Sequence, residues 1–272
     1  MNIIGTGLSG LVGSKFVQMH SEEHSFLNLD LTTGVDILNA DQVMEAFKKS
    51  EAPVAVHFAA FTDTQKAFEQ TGDKEGMAYK VNVLGTRNIA TAAKETGKYL
   101  IHISTAYVFD GTKQGLYTEE DAPSPIEWYG QTKAYAEEEV LSLDGKFSIL
   151  RIDRPYREDE FPKLDILHKI KAKLEEGTLP PQFSDTSWTP TAIETFSTLL
   201  LQIALRQPQG IFHTTTESVF SDYSFALWVK EKFDLPGEVK EGSLAAYLAS
   251  NPRPYQKNTA LDTTKVRSIM AK

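Results

Sequence analysis

Short apolar runs, separated by longer stretches with a three-to-four-residue apolar rhythm, fill the first half of the chain. Residues 2–4, 25–30, 54–58, 99–104 and 147–151 read as strands. Several are apolar throughout rather than alternating, the pattern of strands covered by helices on both faces. Between them, residues 11–19, 41–49, 74–95 and 129–141 read as helices. This β-α alternation predicts a doubly wound parallel sheet of Rossmann type over residues 1–152. Past Arg151 the pattern breaks at Arg154-Pro155-Tyr156 and Phe161-Pro162. A helix is expected over 163–176 and a loop at Leu179-Pro180-Pro181. A helix over 191–206 carries Ile193, Phe196, Leu199, Leu200 and Ile203 at helical period. A short strand at 210–213 and a helix over 221–233 follow. Residues 153–272 are expected to form a smaller α+β substrate lobe, with a soft, partly interleaved boundary near 152.

Composition adds exclusions. A chain of 272 residues with 41% hydrophobic and 24% charged residues suits one globular unit with a sizeable core. Its net charge of −9 argues against nucleic acid as partner. A small anionic ligand can still be met by one helix end or one Arg. There is no cysteine, so disulfides, thiol nucleophiles and thiolate metal sites are excluded. No run reaches membrane-spanning length, and the N-terminus enters Ile3-Ile4-Gly5 without a leader pattern. A cytoplasmic protein away from membranes is expected. The six histidines, His20, His24, His57, His102, His168 and His213, show no ligand spacing, so no metal site is expected. No Gly-x-Ser-x-Gly elbow supports a serine hydrolase.

The sequence Thr6-Gly7-Leu8-Ser9-Gly10-Leu11-Val12-Gly13 joins the first strand to the first helix. Gly7 allows the tight turn, Gly10 lets backbone approach a phosphate, and Gly13 permits close helix–strand packing. The helix start at Leu11 and Val12 then offers free N–H groups and a positive dipole end. Asp30 closes the second strand, where a carboxylate accepts hydrogen bonds from an adenosine ribose and repels a 2′-phosphate. NAD(H) is therefore favoured over NADP(H). Asp36 and Ile37 are placed to flank the adenine. The alternative is a glycine-rich turn needed only for packing, with Asp30 opening a turn.

Thr105 follows the fourth strand, at the sheet edge that faces the ligand crevice. Tyr129 and Lys133 lie four apart on one helix face. An isolated Tyr has a pKa of about 10, and a nearby ammonium and the positive nicotinamide together lower it. Tyr129 then suits proton exchange with a carbonyl or alcohol oxygen, Thr105 suits a hydrogen bond to that oxygen, and Lys133 suits the nicotinamide ribose. Alone, such a Tyr–Lys pair is common on amphipathic helices. The glycine loop and strand-end Thr, in this order, give it meaning.

These residues resemble the extended short-chain dehydrogenase/reductase family, and within it the dTDP-4-dehydrorhamnose reductase branch of sugar-nucleotide-binding proteins. The resemblance covers the chain. It rests on the glycine loop, His57-Phe58-Ala59-Ala60-Phe61-Thr62-Asp63, Asn82-Val83-Leu84-Gly85-Thr86, Ser104-Thr105-Ala106-Tyr107-Val108-Phe109-Asp110-Gly111, Tyr129-Gly130-Gln131-Thr132-Lys133, and Arg253-Pro254 before Ala260-Leu261-Asp262. It implies Thr105, Tyr129 and Lys133 as catalytic residues. It also implies Ala59, Ala60 and Thr62 along the cofactor channel, and Asn82 as a brace. Ala106, Tyr107, Arg154 and Arg253 are expected towards substrate. Two departures stand out. Ala106 replaces the Asp usual after the catalytic Thr, and Arg154 stands where that branch has Trp. Arg154 is read either as a ligand for an anionic substrate or as a surface Arg paired with Asp153 or Glu158. The implied activity is NAD(P)H-dependent reduction of a nucleotide-linked 4-keto-6-deoxy sugar. The alternatives are a dinucleotide-binding regulatory protein like the regulatory subunit of methionine adenosyltransferase, and a sugar-nucleotide epimerase. For a dehydratase, Ala106-Tyr107 lacks the required acid–base pair. Dimers are common in the family, so a homodimer is an open expectation without a hydrophobic seam to define it.

Overall fold

A computed structural model describes residues 1–142 and 146–271. In chain order the elements are β1 (Asn2–Thr6), α1 (Leu11–His20), β2 (Ser25–Asn28), α2 (Ala40–Lys49), β3 (Val54–His57), α3 (Thr64–Glu69), α4 (Met77–Tyr79), α5 (Thr86–Glu95), β4 (Tyr99–Thr105), α6 (Trp128–Leu141), β5 (Phe147–Ile152) and β6 (Pro155–Tyr156). Then come α7 (Ile166–Glu175), β7 (Gln182–Phe183), β8 (Thr191–Ala192), α8 (Ile193–Arg206), β9 (Gly210–His213), α9 (Asp222–Lys232), β10 (Glu241–Gly242), α10 (Leu244–Leu248) and α11 (Thr264–Met270). Six strands form one parallel sheet in the order β2-β1-β3-β4-β5-β9. This is the doubly wound sheet that the pattern predicts. Its winding reverses between β1 and β3, where a ligand crevice opens beyond the strand ends.

The continuous apolar strands follow from two covered faces. Ile3, Val54, Val56, Ile101, Ile103, Leu150 and Ile152 pack with Phe16 of α1, Phe196, Leu200 and Ile203 of α8, and Val266 of α11. Their neighbours Ile4, Ala55, Leu100 and Ile149 face the other way, onto α2, α5 and Val140 of α6. On this second face the character changes towards the strand ends. Thr6, His57, His102, Ser104, Arg151 and His213 are all buried there. In-register pairing sets Thr6, His57 and His102 side by side, and Ser104, Arg151 and His213 likewise. Helix α6 lies over this polar half. Its Glu137 accepts from Arg151 Nε at 2.9 Å and Nη2 at 2.7 Å, and from Ser104 Oγ at 2.5 Å.

Several elements differ from the sequence pattern for local reasons. The helix expected over 74–95 begins at Met77, after an Asp73 turn in which Oδ1 accepts from Glu75 N. It then widens into a π-helix over Lys80–Gly85 before continuing as α5. α3, α10 and α11 span only five to seven residues, too few turns for a period to show. Asp63 and Ser243 cap the first two. Residues 191 and 192 pair with β6 rather than opening a helix. The boundary near 152 is crossed, because α8 and β9 complete the main layers. β9 covers the edge of β5, which would otherwise be exposed for aberrant pairing. β6, α7 and α9 gather around a separate cluster of Tyr156, Leu167, Ile170, Leu174, Trp188, Phe225, Val229 and Val239.

Replacing Glu137 by Ala leaves Arg151 buried beside a neutral gap. The expected loss is about 3–5 kcal/mol in urea unfolding. A loss below about 1 kcal/mol would show that the pair does not hold α6 to the sheet.

Candidate active site

The glycine loop is shaped by contacts that leave no room for side chains. Gly7 has a φ of +68°, and a Cβ there would lie 2.6 Å from Ala59 N on the neighbouring strand end. A Cβ on Gly13 would come within 2.4 Å of Gly7 O. Gly10 is different. Its Cβ would meet only Gly7 O, at 3.2 Å, and otherwise points into open space. Gly10 caps α1 without any side-chain hydrogen bond, so Leu11 and Val12 start a helix whose first N–H groups are open to an anion. Asp30 lies against this loop. Its carboxylate accepts from Gly7 N, Ser9 N and Ser9 Oγ, and from Asn28 Nδ2 at 3.0 Å. Its backbone opens the 3-10 turn Leu31–Thr33. Asp36 Oδ1 accepts from Leu38 N at 2.9 Å, and Ile37 packs in the core beneath Gly85.

Across the crevice, Ala59 and Ala60 are half-buried and Thr62 is exposed. Asn82 braces this segment. Its Oδ1 accepts from Phe61 N at 2.8 Å, while Nδ2 donates to Phe61 O and to Thr132 Oγ1 on α6. The lobe reaches both banks. Arg157 donates to Leu11 O, Ser14 Oγ and Gln18 Oε1 on α1, and Lys163 Nζ donates to Thr62 Oγ1 at 2.7 Å.

Thr105, Tyr129 and Lys133 converge at the ends of β4 and α6. Thr105 Oγ1 accepts from Tyr107 N and lies against the Tyr129 phenol. Tyr129 stands in the first turn of α6, where the buried Glu127 side chain accepts from the Tyr129 and Gly130 amides at 3.1 and 2.6 Å. The phenol's pKa is raised rather than lowered. Burial dominates, the Glu127 charge adds to it, and the Thr105 contact opposes it. Lys133 does not offset this, because its ammonium is turned to the sheet. Lys133 Nζ donates to Ile103 O at 2.8 Å and to His102 Nε2 at 3.2 Å. Burial pushes Lys133 down to about 8, against the pull of Glu137.

The expected substrate residues separate. Ala106 is fully buried among Val108, Phe109, Tyr117 and Leu261, and so presents no surface to a ligand. Tyr107 meets Tyr129 edge-on, with ring centroids 5.9 Å apart. Arg154 is not a surface residue paired with Asp153 or Glu158. Its buried guanidinium pairs with Asp222, donates to Tyr255 Oη at 2.7 Å and lies 4.2 Å over the Trp188 ring. Its backbone is left-handed, with φ of +38°, a strain that this set of contacts holds in place. Glu158 pairs with Lys232 instead. Arg253 is half-buried, with Nε unpartnered among the described residues and its charge near Glu127. Pattern reading missed Asp153, one residue past the register partner of Thr105. Asp153 Oδ2 accepts from Thr259 Oγ1 at 2.6 Å, Oδ1 has no partner among the described residues, and burial raises its pKa to about 7. The available signal was an acidic residue immediately after an apolar strand. Among the described residues no cluster of potential ligands could hold a metal.

A glycine-led helix start facing a strand-end Thr and a helix-borne Tyr and Lys defines an extended short-chain dehydrogenase/reductase. Residues 1–272 match the RmlD substrate binding domain family, and the chain belongs to it. The dTDP-4-dehydrorhamnose reductase of Aggregatibacter actinomycetemcomitans is 30% identical over 278 residues, covering 96% of this chain and 90% of that protein. Methionine adenosyltransferase 2 subunit beta of Rattus norvegicus is 29% identical over 253 residues, covering 86% and 70%. The crystal structure of a dTDP-4-dehydrorhamnose reductase from Clostridium acetobutylicum superposes with a TM-score of 0.89 at 25% identity, covering 100% of this chain and 93% of that one.

Two outcomes follow for stability. A Cβ on Gly130 would lie 2.2 Å from Tyr107 O, so backbone must move. Although Ala favours helix, Gly130→Ala is expected to destabilise by about 1–3 kcal/mol in denaturant unfolding. Asp153 holds its proton in the fold to about pH 7 but releases it near 4 when unfolded. Native protein then binds more protons between these values, so this group's contribution to stability falls as pH rises from about 4 to 7. Asp153→Asn is expected to gain on wild type by roughly 2–4 kcal/mol over that window. Parallel melting curves would refute this.

Proposed function

We propose that the chain is an NAD(P)H-dependent reductase of a nucleotide-linked 4-keto-6-deoxy sugar. The observation that carries this reading is that Thr105, the buried Tyr129 phenol and Lys133 gather at β4 of the same parallel sheet whose β1 leads into the glycine loop. The loop fits a dinucleotide pyrophosphate. Gly10 leaves space for it, and the Leu11 and Val12 amides at the helix start supply donors. Asp30, already seated on the loop, suits a ribose diol better than a 2′-phosphate, so NADH is expected to bind more tightly than NADPH.

A reduced nicotinamide, when bound, supplies hydride to the carbonyl carbon. The Tyr129 phenol, held protonated at neutral pH by burial, gives its proton to the carbonyl oxygen, leaving an alcohol. Thr105 Oγ1 orients that oxygen. Lys133 has one N–H beyond its bonds to Ile103 and His102, which suits the nicotinamide ribose. Tyr107 walls the site beside Tyr129.

The regulatory reading has a specific observation in its favour. Arg154, at the position of the branch's Trp, is already engaged by Asp222, Tyr255 and Trp188. Titration with NADH and NADPH by fluorescence, then oxidation with a dTDP-4-keto-6-deoxy sugar, separates the two. Tyr129→Phe is expected to lower turnover by about 10²–10⁴-fold with dinucleotide binding retained. Binding without oxidation across a panel of keto-sugar nucleotides would favour a regulatory protein, and no binding at all would overturn both.

A further inference from the structure

Three buried histidines stand on the polar half of the sheet face, and two of them use both ring nitrogens. His57 joins Thr6 Oγ1 at 2.6 Å through Nδ1 and Thr86 Oγ1 at 3.0 Å through Nε2. His213 joins Tyr117 O at 3.1 Å through Nδ1 and Arg151 Nη1 at 3.4 Å through Nε2. These rings are structural ties between elements. His102 is unlike them. It is fully buried, its Nδ1 has no partner among the described residues, and its one polar contact is Lys133 Nζ at 3.2 Å. A lysine ammonium only donates, so Nε2 is the acceptor and Nδ1 carries the hydrogen.

We propose that His102 is a positioning residue for Lys133, its Nε2 and the Ile103 carbonyl together fixing where the ammonium sits and favouring its charged form. Two acceptors on one side of Nζ direct the remaining N–H away from the sheet. A hydrogen bond to the ammonium opposes the desolvation that would strip its proton. The other groups facing Lys133 do less for its direction. His57, its ring tilted 35° to that of His102 with centroids 5.3 Å apart, is neutral because burial pushes it down to about 3. Glu137, one turn along α6, attracts the ammonium, but its oxygens are taken by Arg151 and Ser104. Tyr129, one turn earlier, is held protonated. The importance of this contact for turnover rests on the reductase reading. The contact itself does not.

Nitrogen-15 NMR on the full chain, without dinucleotide or substrate, reads both ends of it. In wild type, His102 is expected as the Nδ1–H tautomer, with an Nε2 resonance that moves in K133M. An Nε2–H tautomer overturns the proposal, since that ring cannot accept from an ammonium. Lys133 Nζ is expected to titrate near 8 in wild type, about one pH unit lower in H102L, and near wild type in H102Q, whose Oε1 reaches the Nε2 position. An unchanged midpoint in H102L, or a midpoint in H102Q that follows H102L, overturns it. If H102L does not fold, the tautomer and the K133M comparison decide. The alkaline limb of NAD(P)H oxidation should shift down with Nζ in H102L and return in H102Q. If wild type reduces no keto sugar nucleotide, the reductase reading fails while the Nζ and Nε2 measurements still decide the role of His102.

Discussion

The bidentate ion pair between Glu137 and Arg151 is the interaction on which the site depends. Both side chains are almost wholly removed from solvent, so each has lost its hydration. Their attraction offsets that loss only because the geometry is complete. Two parallel hydrogen bonds join them, Ser104 takes a further lone pair of the carboxylate, and His213 accepts from the guanidinium. Helix α6 needs such a fixture. It buries Thr132, Lys133 and Glu137 as well as Trp128, Ala134, Ala136 and Val140, and so has no clean apolar stripe to set its rotation. With Glu137 tied to β5, Lys133 lies one turn back over β4 and Tyr129 another turn back beside Thr105.

The two banks of the crevice are built on different physics. At the glycine loop the determinants are steric and backbone-borne. Gly7 and Gly13 exist where any Cβ would strike a neighbouring main chain, and the helix start presents N–H groups rather than side chains. At the end of β5 the determinants are charges withdrawn from water. Asp153 is kept close to neutral by burial, and Arg154 is compensated by Asp222 and the faces of Trp188 and Tyr255. Between them, Asn82 ties the Phe61 segment to Thr132 of α6.

The sheet and its order of elements were legible because strands covered on both faces need continuous apolar residues, and β1, β3, β4 and β5 show them. The glycine loop was legible because glycine is demanded by geometry that no other residue satisfies. Thr105, Tyr129 and Lys133 were legible as residue types at the right ends of elements. Their electrostatic roles were not. Lys133 points at Ile103 and His102 rather than at the Tyr129 phenol, and direction is a property of packing. For the same reason neither the burial of Ala106 nor the pairing of Arg154 with Asp222 was legible.

The sequence by itself determined the sheet, the glycine turn and the chemistry available at the strand ends, since these follow from local period and steric need. Only the tertiary structure decided that Arg151 meets Glu137, that Arg154 meets Asp222 some 68 positions away, and that His102 stands behind Lys133. Each joins residues far apart in the chain inside a buried region. There, the energy of a charge depends on what surrounds it, and no periodicity records those surroundings.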